Sequence, residues 1–222
     1  ATDYGDHSVA IGYLAGKINT GQYNVLVGSD AGVQGTTFSN TVAIGRQAMG
    51  GADNQGAANV AIGSNAGNNH TTGEDSVFVG RSAGSGNTSA SRNVAIGKDA
   101  LVALQDSTNG GQNTALGYRA AYDTTGMRNT VVGHSAGFAS TSADSNVYIG
   151  YEAGAKITTG DYNVCLGQKS GPSSTNTDSS KLYIHNDEGT PLIGGDFAAG
   201  TVTINGTLSA TAKSFNIEHP LD

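Results

Sequence analysis

Asn93-Val94-Ala95-Ile96-Gly97 decides the fold, because this five-residue block returns in related form ten times along the chain. Ser8-Val9-Ala10-Ile11-Gly12 and Asn59-Val60-Ala61-Ile62-Gly63 are close copies. The closing glycines are Gly12, Gly28, Gly45, Gly63, Gly80, Gly97, Gly117, Gly133, Gly150 and Gly167, spaced by 16 to 20 residues and most often by 17. A fixed period of this length marks a repeat architecture before any single element is assigned.

Each column of the internal alignment has its own chemistry. The residue before the glycine is always Ile, Val or Leu, and the residue two before that is Val except at Thr114 and Thr130. Positions i and i+2 of an extended strand share a face. A glycine cuts the pattern after a few residues, which excludes a helix and leaves a short strand. Before the valine column stand Asn24, Asn59, Asn93, Asn113, Asn129, Asn146 and Asn163, with Ser8, Thr41 and Ser76 in the other copies. These side chains favour turn entry and, stacked at one height per coil, are suited to a polar ladder. Three residues after the central glycine lies alanine from Ala15 to Ala153, replaced by Ser170 in the last copy. Such a column predicts a crowded corner, and the neighbouring glycines predict left-handed backbone or close approach. A second turn recurs as Thr20-Gly21, Thr72-Gly73, Thr125-Gly126 and Thr159-Gly160. The expected fold is all-β: a parallel β-roll or β-solenoid of about ten 17-residue coils, each touching mainly its neighbours. Stacking at about 4.8 Å per coil predicts a rod on the order of 45 Å long.

The residue between the two aliphatics points to the opposite side of the strand. That column reads Ala10, Leu26, Ala43, Ala61, Phe78, Ala95, Ala115, Val131, Tyr148 and Cys165, with no charge in it. A strand apolar on both faces needs two covers. We expect Val9, Ile11, Val60, Ile62, Val94, Ile96, Val147 and Ile149 to fill the coil's own interior. The middle column is then expected to pack against other copies of the chain. This predicts a homo-oligomer around a common axis; three-fold symmetry is the expected form, although the sequence alone does not fix the number.

Bulk composition narrows the partners. Glycine supplies 34 of 222 residues, about twice the ordinary usage of about 7 %, as a fold made of tight turns requires. The net charge of −7 argues against a nucleic-acid partner, since nothing would neutralise phosphates. No apolar run approaches the length of a membrane-spanning helix, so no membrane insertion is expected. Cys165 is the single cysteine, which excludes an internal disulfide framework. It is expected to act as a small buried hydrophobe.

The blocks at 8–12, 59–63 and 93–97 resemble the repeats of trimeric autotransporter adhesin heads, and similar repeats occur in phage tail fibres. The resemblance spans residues 8–171 and implies a left-handed parallel β-roll in a homotrimer. The longer coil leans toward the fibre type. After Gly171 the repeat stops, and Leu182-Tyr183-Ile184, Pro191-Leu192-Ile193-Gly194 and Thr201-Val202-Thr203-Ile204-Asn205-Gly206 suggest further short strands. Residues 1–171 are therefore read as the solenoid and 172–222 as a β-rich C-terminal segment. Lys213-Ser214-Phe215-Asn216-Ile217-Glu218-His219-Pro220-Leu221-Asp222 resembles the segment that precedes a self-cleaving intramolecular chaperone in tail fibres and tailspikes. The resemblance implies a virion tail fibre, used as a host-attachment or spacer segment. The alternatives are an adhesin head on a bacterial surface and, more remotely, a glycan-degrading tailspike.

No catalytic constellation is expected. Asp30, Asp53, Glu74, Asp99 and Asp161 fall in turns, where solvated acids are ordinary. His7, His70, His134, His185 and His219 lack metal-ligand spacing and read as surface histidines. No phosphate-binding or dinucleotide fingerprint has the required strand–helix context. No cofactor or metal is therefore expected. Tyr13, Tyr118, Arg119 and Tyr151 follow the central glycines and are the candidate surface-binding residues, for a host glycan or protein. The longest insertion, Leu101 to Gly111, is the loop expected to make a specific contact.

Overall fold

In a computed structural model, which describes residues 7–51, 53–103 and 111–208, the chain forms one sheet of 13 strands ordered as in the sequence. Ten three-residue strands carry the repeat: β1 (Val9–Ile11), β2 (Val25–Val27), β3 (Val42–Ile44), β4 (Val60–Ile62), β5 (Val77–Val79), β6 (Val94–Ile96), β7 (Thr114–Leu116), β8 (Thr130–Val132), β9 (Val147–Ile149) and β10 (Val164–Leu166). Each pairs in parallel with the next, in a register that places repeat positions one above another, such as Ile62 beside Val79 and Val79 beside Ile96. The expected parallel β-solenoid of about ten turns is the observed fold. Among the described residues there is no helix.

Backbone bonds join neighbouring coils well beyond the strands. Gly16 N donates to Ala31 O at 2.9 Å across the bend, and Thr20 N to Thr36 O at 2.8 Å across the second turn. The central glycines are imposed by this stacking. Gly80 has φ +132°, and a Cβ there would lie 2.6 Å from the carbonyl oxygen of Gly97. No side chain fits between two coils at that point.

The structure reverses the two faces of the strand. Leu26, Ala43, Ala61, Phe78, Ala95, Ala115, Val131, Tyr148 and Cys165 are buried inside the coil, and Ala10 packs against the same core. Val60, Val94 and Val147 are only half-buried, and Val9, Ile11, Ile62, Ile96 and Ile149 are exposed on the outside. Expecting the branched pair to fill the interior was therefore wrong. The physical reason lies in the parity of the strand. The asparagine column stands two residues before the middle column, so both point the same way, and both are buried. The coil interior takes the ladder and the middle residue together.

Inside several coils the middle residue and the bend residue exchange volume. Where the middle residue is a large aromatic, the bend residue of the same coil is glycine: a Cβ on Gly84 would run into the Phe78 ring, and one on Gly154 into the Tyr148 ring. In two coils with a small middle residue the bend residue is large instead. Ala43 is followed at the bend by Met49 and Ala95 by Leu101, all fully buried. In the coil of Ala61 the volume comes from His70, which contradicts its reading as a surface histidine. His70 is fully buried, 2.7 Å from Gly73 O through Nε2 and edge-on to Phe78 at 5.4 Å between centroids.

The parallel stack continues past the last repeat. β11 (Lys181–Ile184) pairs in parallel with β10. The chain then reverses, with β12 (Ile193–Asp196) and β13 (Thr201–Ile204) added antiparallel. The short strands expected after Gly171 are present, as an extension of the same sheet. Residues 213–222 lie outside the described residues.

Candidate oligomer interface

The outward strand positions form a straight apolar ribbon along the rod. Coil after coil they hold only Val, Ile, Leu and Thr, with no charge. Exposure of the second position is 60 % at Ile11, 38 % at Ile62, 43 % at Leu116 and 42 % at Ile149. Strand register keeps these side chains in line over the ten coils. Scattered exposed aliphatics are ordinary on protein surfaces, whereas a continuous ribbon of them marks an interaction surface. The middle column named from the sequence is walled inside its own coil and is not available to a partner.

Edges of the ribbon are polar. Glu74, Asp75 and Arg92 precede their strands, while Arg46, Arg81 and Lys98 follow theirs. Behind it, one residue per coil ties the stack. The Asn24 Oδ1 accepts the Thr41 backbone N–H at 3.0 Å, the Thr41 hydroxyl accepts that of Asn59, and the relay runs unbroken from Ser8 to Lys181. The ribbon is therefore presented by a rigid backing.

Of the four candidate surface residues, three come together. Tyr118 and Tyr151 are joined through His134, with ring centroids 4.9 and 5.2 Å apart. The Arg119 guanidinium lies 5.2 Å from the Tyr118 ring and 5.4 Å from Tyr122. Tyr13 stands apart in the first coil, 73 % exposed. Sequence reasoning placed His134 on the surface, where it lies, but gave it no part in this cluster, and it missed Tyr122 and Phe138, although all three sit in alignment columns that carry aromatics in consecutive coils. Residues 104–110 of the long insertion lie outside the described residues; Leu101, at its start, belongs to the core. Burial pushes the Cys165 thiol up to about 12, in keeping with its place in the core. Among the described residues no three His, Cys, Asp or Glu side chains converge as a metal site.

No protein-family model matches the chain, and neither a curated protein nor a solved structure matches it.

Proposed function

We propose that the chain is a non-catalytic fibre segment that assembles as a parallel homotrimer, with the outward aliphatic ribbons of three copies meeting at a common axis. The uncharged ribbon carries this reading. A cover for it must be as long and as straight as the rod and must repeat at the same coil spacing, and another copy of the chain meets all three demands. Two residues of width per coil suit three ribbons around an axis, since three narrow strips enclose a small apolar core without a void. The role is that of a virion tail fibre, extracellular, acting in attachment to a host surface or as a spacer. The antiparallel strands β12 and β13 beyond the repeats and the resemblance of residues 213–222 to a pre-chaperone segment support this over an adhesin head.

Light scattering of the purified chain tests the assembly. A molar mass of three times 22.3 kDa is expected over a wide concentration range, and a folded monomer would contradict it.

A further inference from the structure

Outside the ribbon, past the bend, a second column of side chains points to a ligand site. Tyr122 and Phe138 stack in consecutive coils, with centroids 5.3 Å apart and planes inclined by 10°. One coil further on, the same position holds Ala155, so no third ring covers the far face of Phe138. The missing rung is a surface groove of about 350 Å³, lined by Phe138, Ala155, Arg119, Ser135, Glu152 and Lys156. A half-buried aromatic ring lining a groove, with polar groups on both sides, has the chemistry of a platform for a sugar ring, whose C–H face packs on aromatic carbon.

Charge selects among sugars. Lys156 is already engaged, 2.6 Å from the Glu188 carboxylate and 2.9 Å from Ser173 O, and Glu152 has Lys169 at 3.9 Å. Arg119 is different. Its guanidinium is held against Tyr118 and Tyr122, and its Nε is buried with no hydrogen-bond partner. Among the described residues its side chain forms no ion pair. A positioned, unpaired guanidinium calls for a carboxylate, which it can bind through two parallel N–H donors.

We propose that this groove binds a carboxylated pyranose of a surface polysaccharide, with the sugar ring on Phe138 above Ala155 and its carboxylate on Arg119. The proposal rests on reading the rod as a surface-attachment fibre, yet it does not require the trimer. Its test is titration calorimetry of the full chain with trigalacturonate, with sialyllactose and with neutral galactotriose. At least one acidic sugar is expected to bind tenfold or more tighter than the neutral one. Arg119→Gln is expected to remove that preference. Ala155→Phe, which fills the missing rung, is expected to abolish binding while the far-ultraviolet dichroism stays unchanged. Equal affinity for all three sugars, binding to none, or acidic-sugar binding that keeps its preference in Arg119→Gln would overturn the proposal. A trimer that binds none of them sinks the groove alone, whereas a monomer that binds sinks only the assembly.

Discussion

Asn113 reads the backbone of the coil that carries Asn129 at two points. Its Oδ1 accepts the Asn129 backbone N–H at 3.0 Å, and its Nδ2 donates to Gly126 O at 2.9 Å in the turn leading to Asn129. One buried amide thus satisfies a donor and an acceptor of its neighbour, which fixes both the height and the rotation of the stack. Ser76 does half of this. Its hydroxyl accepts the Asn93 N–H at 3.2 Å but donates to Glu74 O in its own turn.

Asn113→Ala leaves both buried groups without partners and is expected to cost about 2–4 kcal/mol. Asn113→Ser keeps the accepting half, as Ser76 does, and is expected to cost about half as much. Denaturant midpoints of the two variants at one protein concentration check the order.

The central glycine can be tested against a glycine that has room. Gly80→Ala sets a methyl against the Gly97 carbonyl on a backbone of φ +132°. A loss of roughly 2–4 kcal/mol is expected. Gly200 has φ +65° and nothing within 4 Å of its missing Cβ. Gly200→Ala is expected to cost only about 1–2 kcal/mol, the penalty of left-handed backbone alone. Thermal melts of both variants read the contrast.

Volume exchange inside the coil makes a coupled prediction. Ala95→Phe puts a second large group beside Leu101 and is expected to destabilise by about 1–3 kcal/mol. Adding Leu101→Gly reproduces the pairing that Phe78 already makes with Gly84, and is expected to restore most of that loss. A double-mutant cycle with no coupling would refute this exchange of volume between the middle and bend positions.

His70 makes stability depend on pH. Burial lowers its pKa from the ordinary 6.5, outweighing the opposing hydrogen bonds from the Gly73 and Asn87 backbone. The unfolded chain therefore binds a proton more readily than the folded one once the pH falls below about 6.5. Stability on this account is full above that value and declines steadily below it. Melting temperatures at roughly pH 7.5 and pH 5 should differ more for the native chain than for His70→Leu. An equal drop in both would place the sensitivity elsewhere.

Period and column chemistry made the architecture legible in the sequence: ten coils, parallel stacking, an asparagine ladder and a crowded alanine corner are all present. The two faces of the strand are not legible from residue size, because the branched aliphatics suggest a core and the mostly small middle column a contact, whereas the structure has them the other way round. Parity with the asparagines carries the correct assignment, and it is visible in Asn93-Val94-Ala95-Ile96-Gly97 once Asn93 is placed inside. The corners were less readable. Two columns of non-glycine residues hold left-handed backbone in every coil, as at Asp75 (φ 55°) and Ser82 (φ 57°), and Met49, Leu101 and Ala121 add a third such position at the bend. The first two columns contain Tyr, Arg, Leu and Glu as freely as Asn or Asp, so stacking rather than residue type imposes that conformation. The groove beside Phe138 was hidden for a related reason: an absent ring at Ala155 leaves no motif.

The outward ribbon is the central claim, and two substitutions of opposite kind test it most directly. Ile62→Asp combined with Ile96→Asp places charges on the ribbon, while Ala61→Asp places one inside the coil. Light scattering with circular dichroism on each is the measurement. The double variant is expected to keep the β spectrum and fall to a mass near 22.3 kDa, whereas Ala61→Asp loses the spectrum itself. A ribbon double variant that still runs at the native multiple would contradict the account.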